Sequence, residues 1–159
     1  MQIRKRILVV GEAGSGKTTL IRALTAGENV DLRKRVKTQA VDYYEYFVDT
    51  PGEFLENPYY RKYLLSLSQN CRCILLVQDC SKERCTYPPG FAKSFPALVF
   101  GVVSKADLGT EKEYSRAQKW LVQAGVKEIF IVSAVMGIGM DRLRDALSKA
   151  CEIDDLTER

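Results

Sequence analysis

Gly11-Glu12-Ala13-Gly14-Ser15-Gly16-Lys17-Thr18 fits G-x-x-x-x-G-K-[ST], the spacing of a phosphate-binding P-loop. A polyphosphate carries many acceptor oxygens on a small surface, so it needs many donors converging on one point. Gly11, Gly14 and Gly16 allow backbone torsions and a close approach that a Cβ would hinder. The N–H groups of the loop and of the following helix N-terminus then point at the phosphates, which brings Glu12, Ala13, Ser15 and Thr19 into the candidate binding set through their backbone. Lys17 is expected to reach the outer phosphates, and the Thr18 hydroxyl to ligate Mg²⁺.

Three later stretches carry chemistry that goes with such a loop. Asp49-Thr50-Pro51-Gly52 is a D-x-x-G: Asp49 is expected to hold Mg²⁺, and the Gly52 N–H to bond a γ-phosphate. Thr38, between loop and Asp49, is the candidate second hydroxyl on the metal, so the predicted metal set is Thr18, Thr38 and Asp49. Ser104-Lys105-Ala106-Asp107 resembles the [NT]-K-x-D guanine signature of small GTPases. Asp107 would accept from the N1–H and exocyclic amine of guanine, and the Lys105 stem would lie across the base. Ser104 replaces the usual Asn or Thr, which predicts a looser tie between base loop and P-loop. Ser133-Ala134 matches the S-A element whose Ala N–H meets the guanine O6.

Two residues bear on hydrolysis. Glu53 follows Gly52, where many Ras-like GTPases place the glutamine that orients water; a carboxylate there either repels the γ-phosphate or points to solvent. Arg35-Val36-Lys37-Thr38 repeats a spacing of heterotrimeric Gα subunits, whose arginine acts in cis on the γ-phosphate. Arg35 is therefore a candidate finger, the alternative being a solvated basic loop. Lys17, Thr38, Gly52, Glu53 and Arg35 make up the candidate catalytic set.

These residues need a scaffold that brings them to one edge. Ile7-Leu8-Val9-Val10 reads as a buried strand and Lys17 to Ala26 as a helix. Ala40 to Tyr44 and Glu45 to Val48 read as two short strands, Pro58 to Gln69 as a helix, and Cys71 to Val77 as a central strand. Cys80 to Pro96, with its prolines, reads as irregular with at most a short helix at Phe91 to Phe95. Ala97 to Val103 and Glu128 to Val132 are strands; Glu111 to Ala124, stopped by Gly125, and Met140 to Ala150 are helices. Alternating strands and helices, with the P-loop after the first strand, predict an α/β fold, a P-loop NTPase whose mostly parallel central sheet is covered by helices on both faces. Ligands of such sheets sit at the strands' carboxyl ends, where the candidate residues fall. Residues 1–151 are expected to form this single domain and residues 152–159 a frayed tail.

The chain of 159 residues is 46% hydrophobic and 28% charged, ordinary values for one globular domain. A net charge of +4 does not argue for nucleic acid, and no long apolar run argues for a membrane. Five cysteines without a scaffold pattern, and no signal peptide, point to a reduced cytoplasmic compartment. Their C-x-C and C-x₄-C spacings, with no histidine in the chain, do not suit a zinc site. Gln2 and Leu156 are incompatible with N-myristoylation and C-terminal prenylation.

Most of the chain thus resembles a Ras-like, TRAFAC-class GTPase domain. Lys37-Thr38-Gln39-Ala40-Val41 and Asp49 to Asn57 are similar to the EutP/PduV family of ethanolamine and propanediol utilisation, and Lys105 to Leu108 with Trp120 to Gly125 look more like its PduV branch. The resemblance implies a small bacterial protein with Mg²⁺ and GTP or GDP as cofactors, ATP being the less favoured nucleotide. It also implies association with microcompartments and shell proteins as possible partners. Three functions stay open: a slowly hydrolysing GTP switch, a docking module with negligible turnover, and an ATP-dependent small-molecule kinase acting on a carboxylate such as acetate.

Overall fold

The computed structural model describes residues 6–25, 41–43 and 46–153. Arg35, Thr38 and the whole loop expected over residues 30–38 therefore lie outside the described residues, as do residues 154–159. Among the described residues the strands are β1 (Arg6–Val10), β2 (Asp42–Tyr43), β3 (Phe47–Asp49), β4 (Cys71–Asp79), β5 (Leu98–Ser104) and β6 (Glu128–Ile131). They form one sheet in the order β2-β3-β1-β4-β5-β6. Five run parallel; β2 adds an antiparallel edge against β3.

The sheet is covered on both faces because its strands are apolar on both. On β1, Ile7 and Val9 join a core with Leu20, Ile21 and Leu24 of α1 (Lys17–Thr25) and Leu143, Leu147 and Cys151 of α5 (Met140–Cys151). Leu8 and Val10 point the other way, into a second core. It includes Leu55 of α2 (Glu53–Glu56), Leu64 of α3 (Arg61–Ser68), and Ala117 and Leu121 of α4 (Glu111–Gln123). This three-layer arrangement confirms the fold class expected from alternation.

Some element ends differ from the expectation for local reasons. The helix expected from Pro58 is broken. Asn57, before proline, is extended at φ −102°, and its side chain accepts from Tyr59 N; a 3-10 turn over Pro58–Tyr60 precedes α3. The separate turn α2 just before it was not anticipated. Strand β4 runs two residues past Val77, because Gln78 and Asp79 are polar yet buried and hydrogen-bonded. Helix α4 starts at a capping box in which Thr110 and Glu113 bond each other's backbone, and Gly125 at φ +96° follows its end. Packing continues beyond Cys151: Ile153 is buried in the first core, and its N–H donates to Ser148 O at 3.0 Å.

Register sets the working edge. Val9 pairs with Asp49, Val10 with Leu76, Asp79 with Ser104, and Val103 with Ile131. The turns after β1, β3, β4, β5 and β6 thus all leave the sheet on one side.

Candidate functional site

Residues 11–16 leave β1 as a turn and enter α1 at Lys17. Gly14 and Gly16 sit at φ +78° and +95°, a region that side-chain-bearing residues rarely adopt. Gly11 is needed for space instead: a Cβ there would stand 2.6 Å from Ser15 Oγ and 3.1 Å from Val77 O. The loop's carbonyls are held from within the loop and from the end of β5. Lys17 Nζ and Ser15 N donate to Glu12 O at 3.0 and 3.1 Å, Lys105 Nζ to Gly14 O at 2.5 Å, and Ser104 Oγ to Ser15 O at 2.7 Å. A strand-to-helix turn whose carbonyls are engaged in this way is the kind of backbone that suits an anion. Thr19, on the first turn of α1, is half-buried.

The predicted metal residues that are described meet. Thr18 Oγ1 donates to Asp49 Oδ2 at 2.5 Å, both residues being buried. Two hard oxygen donors, one anionic, fit a divalent cation such as Mg²⁺. Burial lowers the pKa of the Lys17 amine, against the opposing pull of the Asp49, Glu56 and Glu12 carboxylates.

Gly52 lies against the P-loop: a Cβ on it would come 2.2 Å from Ala13 N and 2.7 Å from Ala13 Cα. Glu56 Oε1, one helical turn on, accepts from Ala13 N at 3.0 Å. Glu53 is exposed on the first turn of α2. Thr50 Oγ1 donates to Val9 O at 2.7 Å and ties the start of this segment to β1.

The segments after β5 and β6 assemble beside the loop. Lys105 adopts the left-handed conformation at φ 60°, and its amine bridges Gly14 O and the buried Asp79 carboxylate, 2.9 Å away. Ser133 Oγ donates to Asp107 Oδ1 at 2.7 Å, and Ala106 N to Val132 O at 3.0 Å. Ala134, next to Ser133, is half-buried. The tie expected to be looser at Ser104 consists of its hydroxyl bond to Ser15 O in the P-loop.

Four contributors were not singled out from sequence. Asp79 anchors Lys105; burial disfavours its charge, but bonds from Ser81 and Lys105 outweigh this and hold the carboxyl below its usual range. An acidic residue at the end of an apolar strand was the available signal. Tyr87, buried in the irregular segment, places its hydroxyl 3.0 Å from Val10 O, at the end of β1, and 2.8 Å from Val77 O of β4. Arg84 pairs with Glu12 at 3.2 Å, and Glu56 reaches Ala13; no local pattern marks these contacts.

Among the described residues no helix is long and apolar enough to cross a membrane. The fold occurs in solved elongation factors. A crystal structure of bacterial selenocysteine-specific elongation factor EF-Sec superposes with a TM-score of 0.68 at 24% identity, over 96% of this chain and 29% of that one. Elongation factor SelB from Methanococcus maripaludis, in complex with the GTP analogue GPPNHP, superposes with a TM-score of 0.66 at 19% identity, over 96% of this chain and 35% of that one. In sequence, propanediol utilization protein PduV of Citrobacter freundii is 35% identical over 87% of this chain and 90% of its own length. Probable acetate kinase EutP of Escherichia coli (strain K12) is 31% identical over 78% and 76%. A family model, PduV-EutP, described as ethanolamine utilisation - propanediol utilisation, matches residues 4–149. The chain belongs to the PduV-EutP family, built on the fold of P-loop GTPases.

Proposed function

We propose that this protein binds a guanine nucleotide with Mg²⁺ at the carboxyl edge of its sheet and hydrolyses GTP slowly, as a switch in propanediol or ethanolamine utilisation. The observation that carries the reading is the lock between base loop and phosphate loop. Lys105 and Ser104 hold Gly14 O and Ser15 O, while Ser133 orients Asp107. A carboxylate oriented in this way next to an anion cradle suits a base offering two N–H donors, as guanine does and adenine does not.

In this reading Lys17 faces the outer phosphates, Thr18 and Asp49 hold the metal, and the Ala134 N–H meets the guanine O6. Thr38 would join the metal set. Bound Mg²⁺ neutralises phosphate charge. Glu53, exposed and anionic, is poorly suited to orient water, so unaided turnover is expected at or below about 10⁻⁴ to 10⁻³ s⁻¹. Arg35 is the candidate to raise that rate in cis. Residence in the bacterial cytoplasm on a microcompartment, docked on shell proteins, belongs to the same proposal.

The name carried by the EutP relative favours one second reading, phosphoryl transfer from ATP to acetate. Titration and turnover with GTP and ATP, with and without acetate, separate the two. The expected result is GTP binding that Lys17→Ala abolishes and a preference that Asp107→Asn moves from guanine to xanthine nucleotides. Acetyl phosphate formed from ATP, with GTP inert, would establish the kinase instead.

A further inference from the structure

The P-loop mouth already carries an anion from the chain itself. Glu56 Oε1 accepts from the Ala13 amide at 3.0 Å across 43 residues of sequence. Two other observations put this contact at the outer end of the cradle. The backbone of Gly52, the residue proposed to sense a γ-phosphate, touches Ala13 so closely that a Cβ would fall 2.2 Å from its nitrogen. The Lys17 amine, expected to face the outer phosphates, is folded back onto Glu12 O at 3.0 Å. The molecule thus presents its outer-phosphate donors engaged by a carboxylate and by a carbonyl of its own.

Resting on the nucleotide reading above, we infer that Glu56 stands in for the outermost phosphate and sets the protein's preference for a nucleoside diphosphate over a triphosphate. A carboxylate and a phosphate oxygen are both anionic acceptors, so they compete for the same amide and repel each other at short range. A diphosphate ends one phosphate short and leaves the Glu56–Ala13 bond in place. A triphosphate brings charge to that end and must push Glu56 away, and α2 with it. Leu55, buried in the second core one residue before Glu56, resists this displacement. Glu56 is therefore a specificity-determining residue whose release reports the third phosphate.

Glu56→Gln keeps an oxygen that can accept from Ala13 N and removes the charge. Glu56 is exposed, so the fold is expected to tolerate the change. Affinities for Mg²⁺–GDP and for a non-hydrolysable Mg²⁺–GTP analogue are measured by calorimetry on the wild type, Glu56→Gln and Lys17→Ala. The expected result is tightening of the triphosphate analogue by about tenfold in Glu56→Gln, with GDP changed by less than about twofold. Amide exchange over residues 53–56 is followed on the same samples, and the analogue, not GDP, should accelerate it in the wild type. An unchanged triphosphate-to-diphosphate ratio, in a wild type that binds both and loses both on Lys17→Ala, overturns this inference alone. Binding of neither nucleotide by any variant overturns the nucleotide reading and this inference with it.

Discussion

Replacing Gly52 with alanine isolates the contact between α2 and the P-loop. The backbone at Gly52 is right-handed helical, φ −56° and ψ −30°, so alanine fits its torsions. On that ground alone the substitution should stabilise by about 0.4–1 kcal/mol, through the unfolded chain. The opposing term is steric. The new Cβ would lie 2.2 Å from Ala13 N, 2.7 Å from Ala13 Cα and 2.9 Å from the Glu12 carbonyl carbon. All three atoms are backbone, so no rotamer change relieves the overlap, and α2 has to lift off the loop. Overpacking of this kind costs about 1–3 kcal/mol. Exposing Leu55 and breaking the Glu56–Ala13 bond sets a ceiling of about 4.5 kcal/mol. The net expectation is a loss of about 0.5–2.5 kcal/mol, or about 1–10 °C in melting temperature for a domain of this size. Gly14→Ala is the matched control: at φ +78° with nothing within 4 Å of its Cβ, it costs torsional strain and no contact. Urea titration gives both free energies, and amide exchange over residues 53–68 should accelerate in Gly52→Ala alone. Adding Glu56→Ala to Gly52→Ala should cost nothing more, since the bond is already lost. A Gly52→Ala protein as stable as the wild type, with unchanged exchange, would refute the packed geometry.

Tyr87→Phe should destabilise by about 1–2 kcal/mol in urea titration, because it strips the hydroxyl that Val10 O and Val77 O share in a buried position. An unaltered midpoint would mean that water replaces it without loss. Asp79→Asn should lower stability at pH 7 and weaken the hold of Lys105 on the P-loop. The Asp79 carboxyl is held below its usual 3.8 in the folded state, so its contribution is present above that value and is lost as pH falls through the depressed one. The wild type and Asp79→Asn should therefore converge as acid titration goes below the depressed value and protonates the carboxyl; a gap that persists in the fully protonated limit would show that charge is not the cause.

What the sequence alone determined is what depends on neighbours along the chain. Gly11 to Thr18 announce a glycine-rich turn from strand to helix because the torsions at Gly14 and Gly16 and the entry into α1 are local, and the structure has both glycines at positive φ. Apolar runs at Ile7 to Val10, Cys71 to Val77 and Ala97 to Val103 fix a parallel sheet, since strands buried on both faces cannot alternate. Family membership was likewise readable in the stretches around Asp49 and Lys105. The tertiary structure decided which polar groups answer each other across the edge: Lys105 with Asp79, Ser104 with Ser15, Glu12 with Arg84, Tyr87 with two strand ends, and Glu56 with Ala13. Each pair is distant in sequence except Tyr87 and Val77, ten residues apart. A charged or hydroxyl side chain looks alike in sequence whether it faces water or a buried carbonyl. Only strand register, by setting Asp79 beside Ser104 and Val9 beside Asp49, chooses its partner.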